Sequence, residues 1–348
     1  MLAPLSAIYK AVIQFRNGQF DRNKLATYNS PVPVISVGNL TAGGTGKTPH
    51  VSWLADALLA MNRRPGILSR GYGRLSHGYQ LVSDGRNILI DAGDAGDEPL
   101  LLARRHRVVP VAVDGKRSRG IGKLISGCHV DCILLDDAFQ HRQVSRDLDI
   151  VLLNAQEPES HYRLLPQGRL REPWTALERT DLIIISKARG LIPAHLEQAL
   201  LQFSGKPILL SEMEMQLLQV DNSGFSPVTR PPSRLLAFCG IADPGSFQTA
   251  LHSQNISPVW FRSFRDHRRY FYSDLKKLAS LITQENGHGF ITTEKDLVKL
   301  PREFLDTHPV YILRMSVKLT DRDQDVLLHL LHAAVSDRTS DNPNQENL

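Results

Sequence analysis

The chain has 348 residues, 42% hydrophobic and 22% charged, a balance that excludes a disordered or fibrous protein and leaves room for two globular domains. Lys and Arg total 41 against 36 Asp and Glu; the resulting +5 suits an anionic partner but is too small to identify one. The three cysteines, Cys128, Cys132 and Cys239, form no CxxC pair, which points to reduced thiols and not to a disulfide or zinc framework.

No stretch reaches the roughly 18 apolar residues of a membrane-spanning helix. The first residues lack the basic start and cleavage site of a signal peptide. Leu5, Ile8, Val12 and Phe15 instead recur at helical spacing, with Lys10, Arg16, Arg22 and Lys24 around them. Residues 1–25 therefore predict an amphipathic helix, which either docks on its own domain or lies on an anionic membrane surface.

From residue 31 short apolar runs alternate with helix-like segments. Val32 to Val37 reads as a strand, followed by a glycine-rich loop and a helix from Thr48 to Met61. Further strands are expected at Val108 to Val113, Cys132 to Leu135, Asp149 to Leu153, Leu182 to Ile185 and Ile208 to Leu210. Continuous apolar strands separated by helices imply a mostly parallel sheet buried on both faces, the α/β class of P-loop proteins, over residues 26–220. A turn-rich connector is expected at 221–233, where Asp221-Asn222-Ser223-Gly224 and Pro231-Pro232 fall. A smaller α/β domain is expected at 234–335, with strands at Leu235 to Cys239, Val259 to Phe264, Gly289 to Thr293 and Val310 to Leu313. Its helices are expected at Pro244 to Ser253 and Ser273 to Gln284, and the polar tail 336–348 reads as frayed.

The loop Gly43-Gly44-Thr45-Gly46-Lys47-Thr48 sits between a strand and a helix, the context in which backbone N–H groups and a helix dipole converge on phosphates. Lys47 would reach the β- and γ-phosphates and the Thr48 hydroxyl would ligate Mg²⁺. The first glycine of the usual loop is Thr41 here. A second strand, Cys132 to Leu135, ends in Asp136 and Asp137, which supplies the carboxylate a metal–phosphate site needs; Asp137 is a second metal contact or a helix cap. Ser186-Lys187-Ala188-Arg189 stands where a guanine-reading signature would end in aspartate, so ATP is favoured over GTP.

Three other groups stay open on sequence alone. The acidic loop Asp91 to Pro99 is either a solvated turn capping the next helix or a source of a carboxylate base beside the phosphates. Lys116, Arg117 and Arg119, and separately Arg169 and Arg171, suit phosphate binding or a solvated charged face. The run from Trp260 to Tyr272 mixes aromatic and basic residues and reads as a strand edge and helix cap in preference to a nucleic-acid surface.

Taken together, several segments resemble the tetraacyldisaccharide 4′-kinase family, the lipid A 4′-kinases of Gram-negative bacteria. They are Pro33 to Pro49 with its glycine-rich loop, Ser69-Arg70-Gly71-Tyr72-Gly73-Arg74, Gly96-Asp97-Glu98-Pro99, Asp136-Asp137-Ala138-Phe139-Gln140-His141, Leu165 to Pro173 and Phe264 to Tyr270. The likeness runs from about residue 5 to 315, and within that family Thr41 is no departure. It implies transfer of the ATP γ-phosphate to the 4′-hydroxyl of a tetraacylated glucosamine disaccharide 1-phosphate, giving lipid IVA. It implies Asp97 as general base with His267 as its partner across an interdomain cleft, and Mg²⁺ among Thr48, Asp136, Asp137 and Glu172. Thr41, Ala42, the loop through Thr48, and Tyr72 would meet the nucleotide, while Lys116, Arg117, Arg119, Arg169 and Arg171 would neutralise phosphate charge. The expected setting is the cytoplasmic face of the inner membrane, with a monomer engaging the bilayer through its first helix and no nucleic-acid partner. The competing reading is a P-loop ATPase switch of the partition or metal-delivery type, which needs neither Asp97 nor His267.

Overall fold

The computed structural model describes residues 2–203, 205–221 and 224–336. Helix α1 (Ala3–Asp21) carries a proline in its first turn, where a missing N–H costs nothing. Strand β1 (Val34–Asn39) is buried throughout and feeds the glycine-rich loop into α2 (Lys47–Ala60). Next come β2 (Pro65–Ser69), β3 (Gln80–Asp84), α3 (Ala92–Ala95), α4 (Asp97–Arg105), β4 (Pro110–Val113), α5 (Arg117–Cys128), β5 (Cys132–Asp136), β6 (Leu148–Asn154), β7 (Leu182–Ser186) and α6 (Ala194–Leu200). The remainder comprises β8 (Ile208–Asp221), β9 (Gly224–Pro227), β10 (Leu235–Cys239), α7 (Pro244–Ser253), β11 (Trp260–Ser263), α8 (Tyr272–Gln284), β12 (Gly289–Thr293), α9 (Glu294–Leu297), α10 (Arg302–Thr307), β13 (Val310–Leu319) and α11 (Asp321–Ser336).

Among the described residues thirteen strands form one sheet in the order β11-β10-β12-β13-β8-β7-β6-β1-β5-β2-β4-β3, with β9 paired to β8. The strands around β1 are parallel, and pure apolar runs such as Ile183-Ile184-Ile185 need cover on both faces. On one face, Leu54 and Leu58 of α2, Leu102 of α4 and Leu327 and Leu331 of α11 pack on Ile35, Val37, Leu134 and Ile150. The other face is covered by Ile121 and Leu124 of α5, and by Phe139, Leu177 and Leu196. A second pair of cores flanks β10 and β12: Phe238 and Phe290 face Leu275 and Leu278 of α8, while Ala237 and Ile291 face Phe247 and Leu251 of α7. The architecture is the mixed α/β, mostly parallel sheet with flanking helices that the sequence predicts.

The junction between the two units differs from the expected connector at 221–233. The units are joined by an antiparallel ribbon in which β8 and β13 pair from Val310↔Val220 to Leu319↔Ser211. One end of β8 pairs with β7 in the first unit, and one end of β13 pairs with β12 in the second. Its middle alternates exposed Glu212, Glu214 and Gln216 with half-buried Met213 and Met215, so it presents no continuous apolar run to read as a strand. The expected connector instead holds β9, with Asn222 and Ser223 outside the described residues.

Residues 321–335 were expected in the second unit, and Ser336 in the tail, but they cross back as α11. Leu327, Leu331, Ala334 and Val335 bury themselves in the first core. Each leucine so buried contributes roughly 2 kcal/mol, which draws the helix to the larger apolar face. The expected frayed tail lies, from 337 on, outside the described residues.

Candidate functional site

The glycine-rich loop is braced from the first unit on every side. Ala42 N–H donates to Arg169 O at 2.7 Å and Arg171 N–H to Leu40 O at 2.8 Å, stitching the loop to the 164–171 segment. Ser186 Oγ donates to Thr45 O at 2.8 Å and Lys187 Nζ to Gly44 O at 3.1 Å, so the lysine of the segment tested for guanine recognition supports loop backbone. Gly46 holds φ +80° at the head of α2, a backbone conformation that favours glycine. His50 bridges Gly46 O at 2.8 Å and Ser211 Oγ at 3.0 Å; burial pushes its pKa down to about 4, so it is a neutral brace. Sequence reasoning missed His50, because a lone histidine in a helix carries no pattern.

Four buried polar atoms around this loop have no hydrogen-bond partner: Asn39 Oδ1, Thr41 Oγ1, Thr45 Oγ1 and Asp136 Oδ1. Unsatisfied groups of this kind are costly unless a ligand completes them. The register Val37↔Asp136 places the end of β5 beside the strand that launches the loop. Asp136 Oδ2 accepts from Ser69 Oγ at 2.9 Å, leaving Oδ1 free. Burial, with Glu98 and Asp137 nearby, lifts the Asp136 carboxyl to about 6. Asp137 also suffers burial, but Lys47 at 3.5 Å and Arg171 at 3.1 Å outweigh it and hold its carboxyl below the usual range. A buried carboxylate lifted by its like-charged neighbours is the donor chemistry that a hard cation relieves. Thr48, buried in the first turn of α2, completes the set. Among the described residues no three His, Cys, Asp or Glu side chains gather around one point.

The acceptor side is assembled across the units. Asp97 opens α4, where the helix dipole favours a carboxylate, and is 9% exposed. Its Oδ2 lies 2.9 Å from His267 Nδ1 and 3.5 Å from Lys299 Nζ, both from the second unit. Burial pushes the Asp97 carboxyl up, but the His267 hydrogen bond and the charges of Lys299 and Lys295 prevail and hold it low. The same hydrogen bond raises the pKa of His267, whose backbone sits at φ +55°. Glu98 pairs with Lys295 and lies within electrostatic reach of Lys47 and Asp137, which places the start of α4 over the phosphate loop. The ring of Tyr72 is exposed and 6.0 Å from that of His267, on the rim of this cleft. Lys295 and Lys299 escaped sequence reasoning; Lys295 lies in a short helix and Lys299 in the turn after it, and their spacing of four was the only signal.

The remaining expected residues divide. Arg171 joins the cluster through Asp137, and the Arg169 guanidinium lies against Gly43, 3.4 Å from the point a Cβ would occupy. Arg117 is buried beneath the site, donating to Asp114 O and, at 3.3 Å, to Asp136 O; burial lowers it to about 10. Arg119 is engaged by both oxygens of Asp114 at 2.8 Å, and the Lys116 side chain is exposed. Glu172 is fully buried with Oε1 held by Arg179 at 3.1 Å and Oε2 by Asn17 at 2.8 Å, so both oxygens expected for magnesium are committed to cationic and amide partners. In the aromatic-basic run, Phe264 and Tyr270 pack edge-on against Phe238 in the core.

Helix α1 docks by its polar side. Ser6 Oγ donates to Leu164 O at 3.2 Å, Tyr9 Oη to Arg171 O at 2.9 Å, and Asn17 reaches Glu172. Leu5, Ile8, Val12 and Phe15 consequently point to solvent, Phe15 being 71% exposed. No helix of the described residues is long and apolar enough to cross a membrane.

The sequence model of the family described as Tetraacyldisaccharide-1-P 4′-kinase matches residues 1–336. A tetraacyldisaccharide 4′-kinase of Chlorobium limicola is 37% identical over 343 residues, 96% of this chain and 97% of its own length. One from Chlorobium luteolum is 40% identical over 314 residues, 87% of each chain. Among solved structures, LpxK from Aquifex aeolicus in complex with ATP superposes with a TM-score of 0.79 at 35% identity, covering 96% of this chain and 98% of that one.

Proposed function

Since the chain belongs to the tetraacyldisaccharide-1-P 4′-kinase family, we propose that its cleft carries out the family's ATP-dependent phosphotransfer with Asp97 as the general base. The observation that carries this assignment is the 2.9 Å contact between Asp97 Oδ2 and His267 Nδ1, beside Glu98, which lies within electrostatic reach of Lys47. The polyphosphate of ATP would lie in the cradle from Thr41 to Thr48, with Lys47 and Arg171 balancing its charge. Thr48, Asp136 and Asp137 would hold magnesium, which supplies charge neutralisation on the phosphate oxygens. Glu172, also expected in that set, is paired with Arg179 and Asn17.

Asp97 is ionised at neutral pH because His267, Lys299 and Lys295 hold its carboxyl low. It accepts the proton of the 4′-hydroxyl as the new O–P bond forms and the bond to the ADP oxygen breaks. His267, hydrogen-bonded to the same carboxylate, fixes its orientation. The second unit roofs the cleft and keeps water from taking the acceptor's place.

The apolar face of α1 fits a peripheral dock on the inner-membrane surface, where an acylated substrate resides, with the polar face holding the helix to the 164–172 segment. Incubating the purified protein with ATP, Mg²⁺ and the tetraacyl disaccharide 1-phosphate is expected to yield a bisphosphorylated lipid. The Asp97→Ala variant is expected to lose turnover while retaining ATP affinity. Absence of lipid product under conditions where ATP binds would sink this reading.

A further inference from the structure

The carboxylate at the centre of the cleft has a third partner. Lys299 Nζ lies 3.5 Å from Asp97 Oδ2, the same oxygen that His267 contacts. The lysine side chain is only 4% exposed, and its ammonium is anchored 2.8 Å from Asp296 Oδ1. Asp296 is in turn fully buried and held on several sides: Gly240 N–H donates to it at 2.9 Å, Tyr270 Oη at 2.9 Å and Thr293 Oγ1 at 2.7 Å. Every one of those anchors belongs to the second unit, whereas Asp97 heads α4 in the first. A buried ammonium with a well-satisfied carboxylate on one side and a second carboxylate on the other is held in place between them.

We propose that Lys299 is a positioning residue for phosphotransfer, a fixed cation that the second unit presents to Asp97 and that keeps this base ionised and aimed when the units are together. The inference rests on the reading of Asp97 as base and adds what activates it. His267 alone does not account for the arrangement, because its side chain is 42% exposed and it also faces Asp266 at 3.8 Å, so its charge varies with pH. The ammonium of Lys299 is not divided in this way. Lys295 contributes from further off, its ammonium being spent on Glu98. The charged groups around Asp97 are therefore His267 with Asp266 behind it, Lys299 with Asp296 behind it, and Lys295 with Glu98 behind it. Drawing the second unit away removes the histidine and the lysine together, so separation of the units switches the base off and not only the enclosure.

The test compares Lys299→Met, Lys299→Gln and Lys299→Arg with Asp97→Ala in the full-length protein, using ATP and the tetraacyl disaccharide 1-phosphate. Removing the charge is expected to cut kcat by roughly ten- to a hundredfold with the KM for ATP nearly unchanged. It is also expected to move the acidic limb of the kcat profile to higher pH, since the carboxyl loses a cation that favours its ionised form. Lys299→Arg should return the limb to its native position and recover most of kcat. An unchanged kcat and pH profile in both neutral variants, with Asp97→Ala inactive, overturns the role of Lys299 alone. Retained activity in Asp97→Ala overturns the base assignment itself. Failure of both neutral variants to fold would assign the lysine to the core of the second unit and equally overturn the proposal.

Discussion

On the phosphate side of the cleft, the loop from Thr41 to Thr48 takes all of its bracing from the first unit, through Arg169, Asn154, Ser186, Lys187 and His50. On the acceptor side, Asp97 takes its two nearest charged partners, His267 and Lys299, from the second unit. The contrast separates two tasks that a kinase must order. The contacts of the phosphate loop lie within the first unit, whereas those of Asp97 span both. An enzyme built in this way can hold ATP without a competent base and so does not spend it on water.

The largest expected effect tests whether the phosphate side stands alone. Lys47→Met should lower kcat by roughly 10³-fold, in keeping with loss of a positioned cation at the transferring phosphate. It should weaken ATP binding as well, since Lys47 also balances Asp137 at 3.5 Å. A nucleotide-binding titration beside the turnover assay reads both. If ATP affinity fell equally in Asp97→Ala, the division between the two sides would be broken.

A smaller effect is expected at the clamp that holds the acceptor side shut. Arg105 of α4 pairs with Glu294 of α9, which also takes Arg314 Nε at 3.0 Å, and both Glu294 and Arg105 are buried. Glu294→Gln strips the charge between two arginines, which costs about 3 kcal/mol for a buried pair. It should lower Tm by about 5 °C. Its effect on kcat should be roughly tenfold, through a less populated closed form, with the ATP dissociation constant unchanged. Calorimetry together with steady-state kinetics would measure both. A change in ATP affinity without a change in kcat would place the clamp on the wrong side of the comparison.

The same contrast explains what was legible in the sequence. The phosphate side is written in contiguous motifs on apolar strands, so Lys47, Thr48, Asp136 and Asp137 fall out of local pattern. Asp97 and His267 are 170 residues apart, and their contact at 2.9 Å follows only from how the β8–β13 ribbon folds one unit onto the other. From the residues alone, the Asp91 to Pro99 loop stayed divided between a turn and a base; only the resemblance joined its aspartate to a histidine. Lys299 had no such motif. Strand β2 was overlooked because Pro-Gly-Ile-Leu-Ser offers only two large apolar side chains, and the ribbon because the middle of β8 alternates exposed polar residues with half-buried methionines. Glu172 shows the converse limit: its motif is evident, yet the chain folds Arg179 and Asn17 onto both its oxygens.

The smallest effect on chemistry is expected from the feature furthest from it, the outward face of α1. Ordinary amphipathic helices bury their apolar stripe; here Ser6, Tyr9 and Asn17 face the protein, while Leu5, Ile8, Val12 and Phe15 face out. Such a stripe costs solubility unless a lipid surface covers it. Replacing Val12 and Phe15 with Ser removes two exposed side chains, so Tm should be essentially unchanged and turnover of a detergent-dispersed substrate should stay within about twofold of native. Binding to vesicles containing anionic lipid, measured by co-sedimentation, should fall by roughly tenfold or more, because each large side chain contributes about 1.5–3 kcal/mol when buried. Because Tyr9 and Asn17 tie this helix to Arg171 and Glu172, beside the loop, a loss of turnover in detergent would mean that α1 serves the phosphate side directly. Unchanged vesicle binding would remove the lipid surface from the account and leave the stripe for another partner.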